Sequence, residues 1–236
     1  MLDFGFHNMD CMDGMKEFPD GYFDLSIVDP PYGIGADNFN CGNGAKKDAG
    51  SYGTAVRVRK NRLNQGGGTL KGRVLNNSDC SWDTEPPTQE YFDELRRVSK
   101  NQIIWGGNYF NLPPTRGIVI WDKKQPWENF SQVEMAWTSF DTPAKIFRMS
   151  NTYHGKIHPC QKPTELYRWL LERFAKPGMV ILDTHVGSAS SLIACKQLGY
   201  KFVGFEKDKY YYDEAMKRFE QETAQVTLFD FVGENK

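Results

Sequence analysis

The chain of 236 residues is 39% hydrophobic and 25% charged, with a mean hydropathy of −0.60 and a formal net charge of −1. These values are typical of one soluble globular domain, and they exclude a whole-protein positive field that would attract a polyanion. No run approaches the ~20 apolar residues that span a bilayer, and the first residues do not resemble a secretory signal. The five cysteines include no Cys-x-x-Cys pair, which argues against a disulfide framework or a zinc site and favours a reducing cytoplasm.

Short apolar or β-branched runs alternate with helical patterns along the chain. Strands are predicted at residues 25–28, 102–105, 117–121, 179–182 and 201–205, with a further pair at 132–137 and 144–147 that suits an antiparallel arrangement. Helices are predicted over 88–98, 163–174, 190–198 and 209 to about 223. Because most of these strands are apolar on both faces, the pattern indicates an α/β fold with a mostly parallel sheet between helices. Such sheets bind ligands at the carboxyl ends of their strands.

Residues 36–78 differ from the rest of the chain in composition. The segment is rich in Gly and Asn, has no sustained periodicity, and carries eight basic residues against the two acids Asp37 and Asp48, a local charge of +6. A long segment of this kind is either a solvated loop without a specific role or a functional one that closes over a polyanion, and both readings stay open. The basic residues are Lys46, Lys47, Arg57, Arg59, Lys60, Arg62, Lys71 and Arg73.

The first predicted strand leads into the motif "DPPY" at residues 29–32. Asp and Pro-Pro can end a strand for conformational reasons alone. From average residue usage, however, this tetrapeptide occurs by chance in a chain of this length only about once in a thousand sequences. The motif therefore suggests a functional role for its carboxylate, its rigid backbone and its aromatic ring.

A second motif, "DTHVGSASSLIA" at residues 183–194, joins a predicted strand to a helix. Gly187 allows a ligand to approach the backbone, and the free N–H groups of the helix start face the same place. Glu206, at the end of the next strand, has the spacing at which a carboxylate accepts ribose hydroxyls. The single glycine suits a nucleoside without phosphates, such as S-adenosylmethionine, better than a dinucleotide. A plain connection with a solvated Glu206 is the alternative.

Together with "HPCQKP" at 158–163, these motifs resemble the signatures of S-adenosylmethionine-dependent DNA amino-methyltransferases, in the order typical of the β group. The segments "WGGNYF" (105–110), "WDK" (121–123) and "EMAWTS" (134–139) are also similar to that group, particularly its compact phage-type members. The resemblance implies a single methyltransferase domain over residues 1–236, with a Rossmann-like fold and one antiparallel strand near an edge of the sheet. The chain departs from the usual cofactor loop of the family at Thr184, His185 and Ala189.

The resemblance implies methyl transfer to N6 of adenine in DNA, as in a phage or restriction-modification enzyme. Asp29 and the Pro30 carbonyl would accept hydrogen bonds from the amine, Pro31 would stiffen the backbone, and Tyr32 would stack on the flipped base. Transfer to N4 of cytosine and a non-catalytic nucleic-acid-binding relic stay open as alternatives. A nucleotide-dependent oxidoreductase would leave "DPPY" unexplained.

The resemblance also assigns the cofactor contacts. Glu206 would bind the ribose, Asp10 and Cys11 would lie beside the adenine, and Lys162 would pair with the carboxylate of the methionine end. The expected partner is DNA, bound through the basic residues of 36–78, with no membrane and no metal; a homodimer stays open. The full set of expected cofactor contacts is Asp10, Cys11, Asp29, His158, Lys162, Thr164, Asp183, Thr184, His185, Gly187, Ser188 and Glu206.

Overall fold

The computed structural model describes residues 1–35, 83–125, 131–151, 156–158 and 160–233, and side chains as far as residue 224. The basic segment, residues 36–78, therefore lies outside the described residues. In the described part of the chain, no helix has the length and apolar character needed to cross a membrane.

Eight strands form one sheet in the order β1-β8-β7-β2-β3-β5-β4-β6. All neighbours are parallel except β5, which is antiparallel to both β3 and β4. Seven strands therefore end at the same edge of the sheet, and β5 begins there. The strands are β1 (Gly5–Asn8), β2 (Leu25–Val28), β3 (Gln102–Trp105), β4 (Ile118–Asp122), β5 (Val133–Thr138), β6 (Lys145–Arg148), β7 (Val180–Asp183) and β8 (Lys201–Glu206).

Five α-helices and one short 3₁₀ helix accompany the strands in the described part of the chain, and the last helix follows the final strand. Pro163 precedes the third helix, and Ala189 caps the fourth in a left-handed conformation. The helices are α1 (Cys11–Lys16), α2 (Gln89–Val98), α3 (Thr164–Phe174), α4 (Ser190–Gln197) and α5 (Lys209–Gly233), with the 3₁₀ turn at Gly107–Tyr109.

Alternating strand residues supply two hydrophobic layers, one on each face of the sheet. Ile27 and Ile103 pack with α3 and α4, whereas their neighbours Val28 and Ile104 pack with α1 and α2. Each layer buries residues with almost no exposed surface, so the sheet is covered on both sides.

The predicted fold class is confirmed, including the antiparallel strand near one edge. The predicted strands agree with the observed ones to within one residue at each end, and α5 runs ten residues beyond the predicted limit, to Gly233. β1 and α1 have no counterpart among the predicted elements. β1 is a half-buried edge strand without an apolar run, and α1 has only 6 residues, so neither produces a clear periodicity.

Candidate active site

The two main motifs lie at adjacent strand ends. β2, which leads into Asp29, pairs in parallel with β7, which ends at Asp183. Lys162 connects the turns that follow these strands: its Nζ donates to Asp29 Oδ2 at 2.5 Å, and its carbonyl accepts a hydrogen bond from Ser190 Oγ at 2.7 Å. The "DPPY" motif, the 158–163 segment and the 183–190 turn therefore form one site.

The carboxylate of Asp29 is held on both oxygens. Tyr32 donates its hydroxyl to Oδ1 at 2.7 Å, and Lys162 donates to Oδ2 at 2.5 Å. The two oxygens of a carboxylate can accept about four hydrogen bonds, so Asp29 keeps capacity for a further donor. Its side chain is 17% exposed, which leaves a route for that donor.

Lys162 is the centre of a chain of alternating charges. Its side chain is 3% exposed, and its ammonium group also lies 3.0 Å from Glu134 Oε2. Glu134 Oε1 in turn pairs with Lys123. Lys123 follows β4, and Glu134 lies near the start of the antiparallel β5, opposite Trp121. The opposite direction of β5 explains why Glu134 lies at the edge where the parallel strands end.

Burial and the charges around Lys162 together set the pKa values of Asp29 and Glu134. Burial raises the pKa of Asp29 above its usual range and Glu134 adds to the rise, while Lys162 opposes it. Burial acts in the same direction on Glu134, but Lys162 and Lys123 outweigh it and lower the pKa of Glu134 to about 2. Lys162 stays charged because Asp29 and Glu134 raise its pKa against the effect of burial.

The backbone after Asp29 is held by Asp83, a residue that the sequence analysis did not select. Asp83 Oδ1 accepts hydrogen bonds from the backbone N–H groups of Tyr32 at 2.6 Å and Gly33 at 2.9 Å. The Tyr32 ring packs so closely on Gly106, at φ +72°, that a Cβ there would overlap it. These contacts fix the direction of the Tyr32 ring.

Tyr109 stacks on Tyr32. The ring centroids are 4.9 Å apart with an interplanar angle of 15°, and Tyr109 is 47% exposed. Tyr109 belongs to the "WGGNYF" segment and lies in the 3₁₀ turn after β3. The pair forms an aromatic surface beside Asp29 that continues to solvent.

Gly187 and Glu206 define the turn of the second motif. Gly187 has φ +55°, which favours glycine, and a Cβ there would lie 3.8 Å from the ring of His158. Glu206 accepts the backbone N–H of Gly187 on Oε2 and that of Asp208 on Oε1, each at 2.9 Å. Burial raises the pKa of Glu206 to about 6. The predicted proximity of Glu206 to the glycine turn is thus observed.

Asp183 and Thr184 support this turn from the protein interior. Asp183 accepts the backbone N–H of His185 at 3.0 Å and the hydroxyl of Ser191, and burial raises its pKa to about 7. The Thr184 hydroxyl lies 2.6 Å from the hydroxyl of Tyr91. Asp183 and Thr184 are each 2% exposed. Their contacts in the structure are with the protein, and their contact with a cofactor stays a prediction.

Ala189 adopts φ +63° where the resemblance leads one to expect glycine. The left-handed conformation costs an L-residue with a Cβ about 1–2 kcal/mol. This departure from the family loop is therefore a point of backbone strain at the start of α4.

Arg218 of α5 joins three parts of the site. It donates to the Ser188 carbonyl at 2.7 Å, to Ser190 Oγ at 2.8 Å and to Thr164 Oγ1 at 3.1 Å. The turn and the start of α3 are thereby fixed to each other. The predicted residues Thr164 and Ser188 lie together in this way, through a residue that the sequence analysis did not select.

Asp10 and Cys11 lie at the far side of the turn, where β1 ends beside β8. Asp10 caps α1 by accepting the backbone N–H of Met12 at 2.8 Å, and it lies 3.0 Å from Lys207. Cys11 Sγ is 4.0 Å from Nε2 of His185. Burial lowers the pKa of His185 to about 4, so its ring is neutral at pH 7.

The ring of His158 packs on Tyr211, with centroids 4.4 Å apart, and burial lowers the pKa of His158 to about 3. Within the described part of the chain, no group of three His, Cys, Asp or Glu side chains is arranged to hold a metal ion. The predicted DNA contacts from Lys46 to Arg73 lie outside the described residues.

Five residues of the site were missed as site residues by sequence reasoning. Three of them stood in segments that already resembled the family, and this was the available signal. Asp83 and Arg218 gave no signal because their partners are distant in sequence. The five are Asp83, Tyr109, Lys123, Glu134 and Arg218.

Fold and site together define a Rossmann-like α/β protein with a cluster of paired carboxylates and lysines beside the turn that contains Gly187. Residues 104–217, just under half of the chain, match the model of a family described as DNA methylase, whose label covers N6 and N4 enzymes. The match includes Lys162, the glycine turn and Glu206, but it begins after Asp29.

Two curated relatives are Type II methyltransferases. M2.DpnII of Streptococcus pneumoniae is 28% identical over 150 residues, which are 64% of this chain and 52% of that protein. M2.LlaDCHI of Lactococcus lactis subsp. cremoris is 27% identical over 146 residues, with 62% and 51% covered. This chain thus spans about half the length of these relatives.

Two solved structures share the fold. The M1.HpyAVI–SAM complex has a TM-score of 0.52 at 17% identity, over 92% of this chain and 100% of that one. The cytosine-N4-specific PvuII DNA methyltransferase has a TM-score of 0.55 at 12% identity, over 96% and 93%. At these identities, the likenesses show a shared Rossmann-like fold and no more.

Proposed function

We propose that this chain transfers a methyl group from S-adenosylmethionine to the exocyclic amine of a base in DNA, and that the base is adenine, methylated at N6. The observation that carries the proposal is the position of Lys162, whose side chain binds Asp29 while its backbone binds the glycine turn. A nucleobase pocket and a methyl-donor pocket at adjacent strand ends are what an amine methyltransferase requires, because two bound reactants must be aligned.

Asp29 is the residue that would activate the amine. The lone pair of an exocyclic amine is delocalised into the ring, which makes it a poor nucleophile. A carboxylate that accepts one of the amine hydrogens, together with the Pro30 carbonyl for the other, localises the lone pair and stabilises the positive charge that develops on nitrogen. Asp29 has this capacity in addition to its bonds to Tyr32 and Lys162.

The residues around the glycine turn fit S-adenosylmethionine. Gly187 leaves room beside His158, and Glu206 has lone pairs beyond its two backbone bonds for the ribose hydroxyls. Neutral His185, between Cys11 and Tyr91, offers a flat ring close to the place assigned to the adenine. When bound there, S-adenosylmethionine would supply an electrophilic methyl group.

The preference for adenine comes from the resemblance, since family members with Asp at the first position of "DPPY" mostly modify adenine. Tyr32 and the exposed Tyr109 offer an aromatic surface for a flipped base, and stacking of this kind contributes about 1–3 kcal/mol per base.

The DNA backbone would be bound by the basic residues of 36–78. Replacing Lys46, Lys47 and Arg57 by Gln should then reduce the salt dependence of DNA affinity.

The test is incubation of the protein with labelled S-adenosylmethionine and duplex DNA, followed by digestion to nucleosides. We expect N6-methyladenine as the product. N4-methylcytosine as the sole product would contradict the choice of base, and the shared fold of the cytosine-N4-specific PvuII enzyme makes it the second candidate. Calorimetry with S-adenosylmethionine separates both from a non-catalytic relic, for which we expect no binding.

A further inference from the structure

Two charged residues of the pocket, Lys123 of the "WDK" segment and Glu134 of "EMAWTS", have no part in the function proposed above. Both are largely buried, with side chains 12% and 23% exposed. Burying charged groups is unfavourable, and even a paired set often stabilises the fold no better than apolar residues would. Two carboxylates and two ammonium groups at one edge of the sheet are therefore better explained by a functional role than by stability.

We propose that Glu134 is a positioning residue of the methyl-transfer site: it holds the Lys162 ammonium group beside Asp29 and, with Lys123, keeps the pocket electrically neutral. This inference rests on the proposed function and deepens it for the same site.

The geometry shows how Glu134 acts through Lys162. The ammonium group has three hydrogens, and its neighbours are Asp29 Oδ2 at 2.5 Å, Glu134 Oε2 at 3.0 Å and the Tyr32 hydroxyl at 3.4 Å. The ring of Trp105 lies 5.2 Å away. Glu134 therefore shares Lys162 with Asp29. Without Glu134, Asp29 would be the only carboxylate that binds the Lys162 ammonium group. Lys162 would then compete more strongly with the amine for the same carboxylate.

The charges of the four groups around Lys162 balance. Asp29 and Glu134 carry two negative charges, and Lys162 and Lys123 carry two positive ones, so the group is neutral. The amine becomes positive as it is methylated. Replacing Glu134 by Gln leaves one excess positive charge in a buried pocket, which opposes the developing charge. Removing Lys123 as well restores neutrality.

The pH profile provides a readout that a purely structural role would not change. The groups that act electrostatically on Asp29 or respond to it are Lys162, Glu134, Tyr32, Cys160, Asp183 and Tyr91. The negative charge of Glu134 raises the pKa of Asp29, and burial acts in the same direction. Neutralising Glu134 therefore lowers the pKa of Asp29 and shifts the acid limb of the pH–rate profile to lower pH.

The experiment compares single-turnover methyl transfer to duplex DNA by the wild type, Glu134→Gln, the double variant Glu134→Gln/Lys123→Met, and Glu172→Gln, an exposed control on α3. We expect Glu134→Gln to be slower by at least about tenfold, with an acid limb at lower pH. The double variant should regain at least about threefold of the rate, because the two substitutions are coupled.

A Glu134→Gln variant with the wild-type rate and acid limb overturns the inference while leaving the proposed function intact. A double variant slower than the single one overturns the charge-balance part in the same way. A wild-type protein that transfers no methyl group contradicts the proposed function and the inference with it. If Glu134→Gln does not fold, the double variant is compared with the wild type instead. The acid limb of its pH–rate profile should also move to lower pH, and an unchanged limb would contradict the inference.

Discussion

The two carboxylate clusters at the ends of β2 and β7 are stabilised in different ways. In the first cluster, Glu134 contacts two lysines and Asp29 contacts one. In the second, Asp183 receives its hydrogen bonds from a backbone N–H and a serine hydroxyl, which are neutral donors. Burial raises the pKa of a carboxyl group in both places, and the ammonium partners decide how much of that rise remains.

The pKa values follow the number of lysine partners. Two lysines lower the pKa of Glu134 to about 2, whereas that of Asp183, with neutral donors, rises to about 7. Asp29, with one lysine, stays above its usual range. In the first cluster the lysines therefore keep Glu134 charged and limit the rise in the pKa of Asp29, whereas Asp183 in the second cluster binds a proton near neutral pH.

The largest expected effect comes from removing the charge of Asp29. Asp29→Asn should slow methyl transfer by roughly 10²- to 10³-fold, because the amine loses the negative charge that stabilises the positive charge developing on its nitrogen. Single-turnover transfer of labelled methyl groups to DNA measures it. Affinity for S-adenosylmethionine should stay close to wild type, since the hydrogen bonds that shape the turn at Gly187 and Glu206 do not include this carboxylate.

The exposed Asp93→Asn, on α2, is the matched control and should behave as wild type. If Asp29→Asn turned over at the wild-type rate, the first cluster would have no catalytic part and the contrast between the clusters would lose its meaning.

A smaller effect is expected at the second cluster when the support of its turn is removed. Arg218→Met deletes hydrogen bonds to Ser188, Ser190 and Thr164. We expect the dissociation constant of S-adenosylmethionine to rise about tenfold, as the loss of a charged hydrogen-bond donor worth about 1.5 kcal/mol implies. Calorimetry measures this change.

At saturating S-adenosylmethionine, the rate of the Arg218→Met variant should recover to near the wild-type value. The exposed Arg168→Met, on α3, is the control. An equal loss of affinity in both variants, or none in Arg218→Met, would show that Arg218 does not shape the turn.

The smallest expected effect is the pH dependence of stability from Asp183. Its folded-state pKa of about 7 lies above the ordinary value of 3.8, so the folded protein binds a proton more tightly than the unfolded chain. The contribution is therefore complete below about pH 4 and is lost as pH rises towards and through 7, by about 1 kcal/mol between about pH 6 and 8.

Urea unfolding of the wild type and of Asp183→Asn across this range measures the difference. The free energy of unfolding of the variant should depend less on pH than that of the wild type. Glu206 makes a smaller contribution of the same sign at lower pH, and both proteins keep it. Identical slopes for the two proteins would mean that Asp183 does not hold a proton near neutral pH.

Much of the fold was predictable because strands buried on both faces leave short, mostly apolar runs, as at Leu25–Val28 and Gln102–Trp105. Glu206 and Gly187 were placed correctly together because the distance between consecutive parallel strand ends follows from the βαβ unit. The contact between Lys162 and Asp29 was not predicted, since it joins two residues that are 133 positions apart in the sequence.

The sequence by itself determined the α/β architecture and the position of two turns at adjacent strand ends, because these depend on local periodicity and on short, fixed spacings. Only the tertiary structure decided which charges share a pocket. The antiparallel direction of β5 brings Glu134 to the carboxyl edge, and Lys123 and Lys162 reach it from separate parts of the chain. Electrostatic pairing depends on distance in space, which the order of residues does not specify.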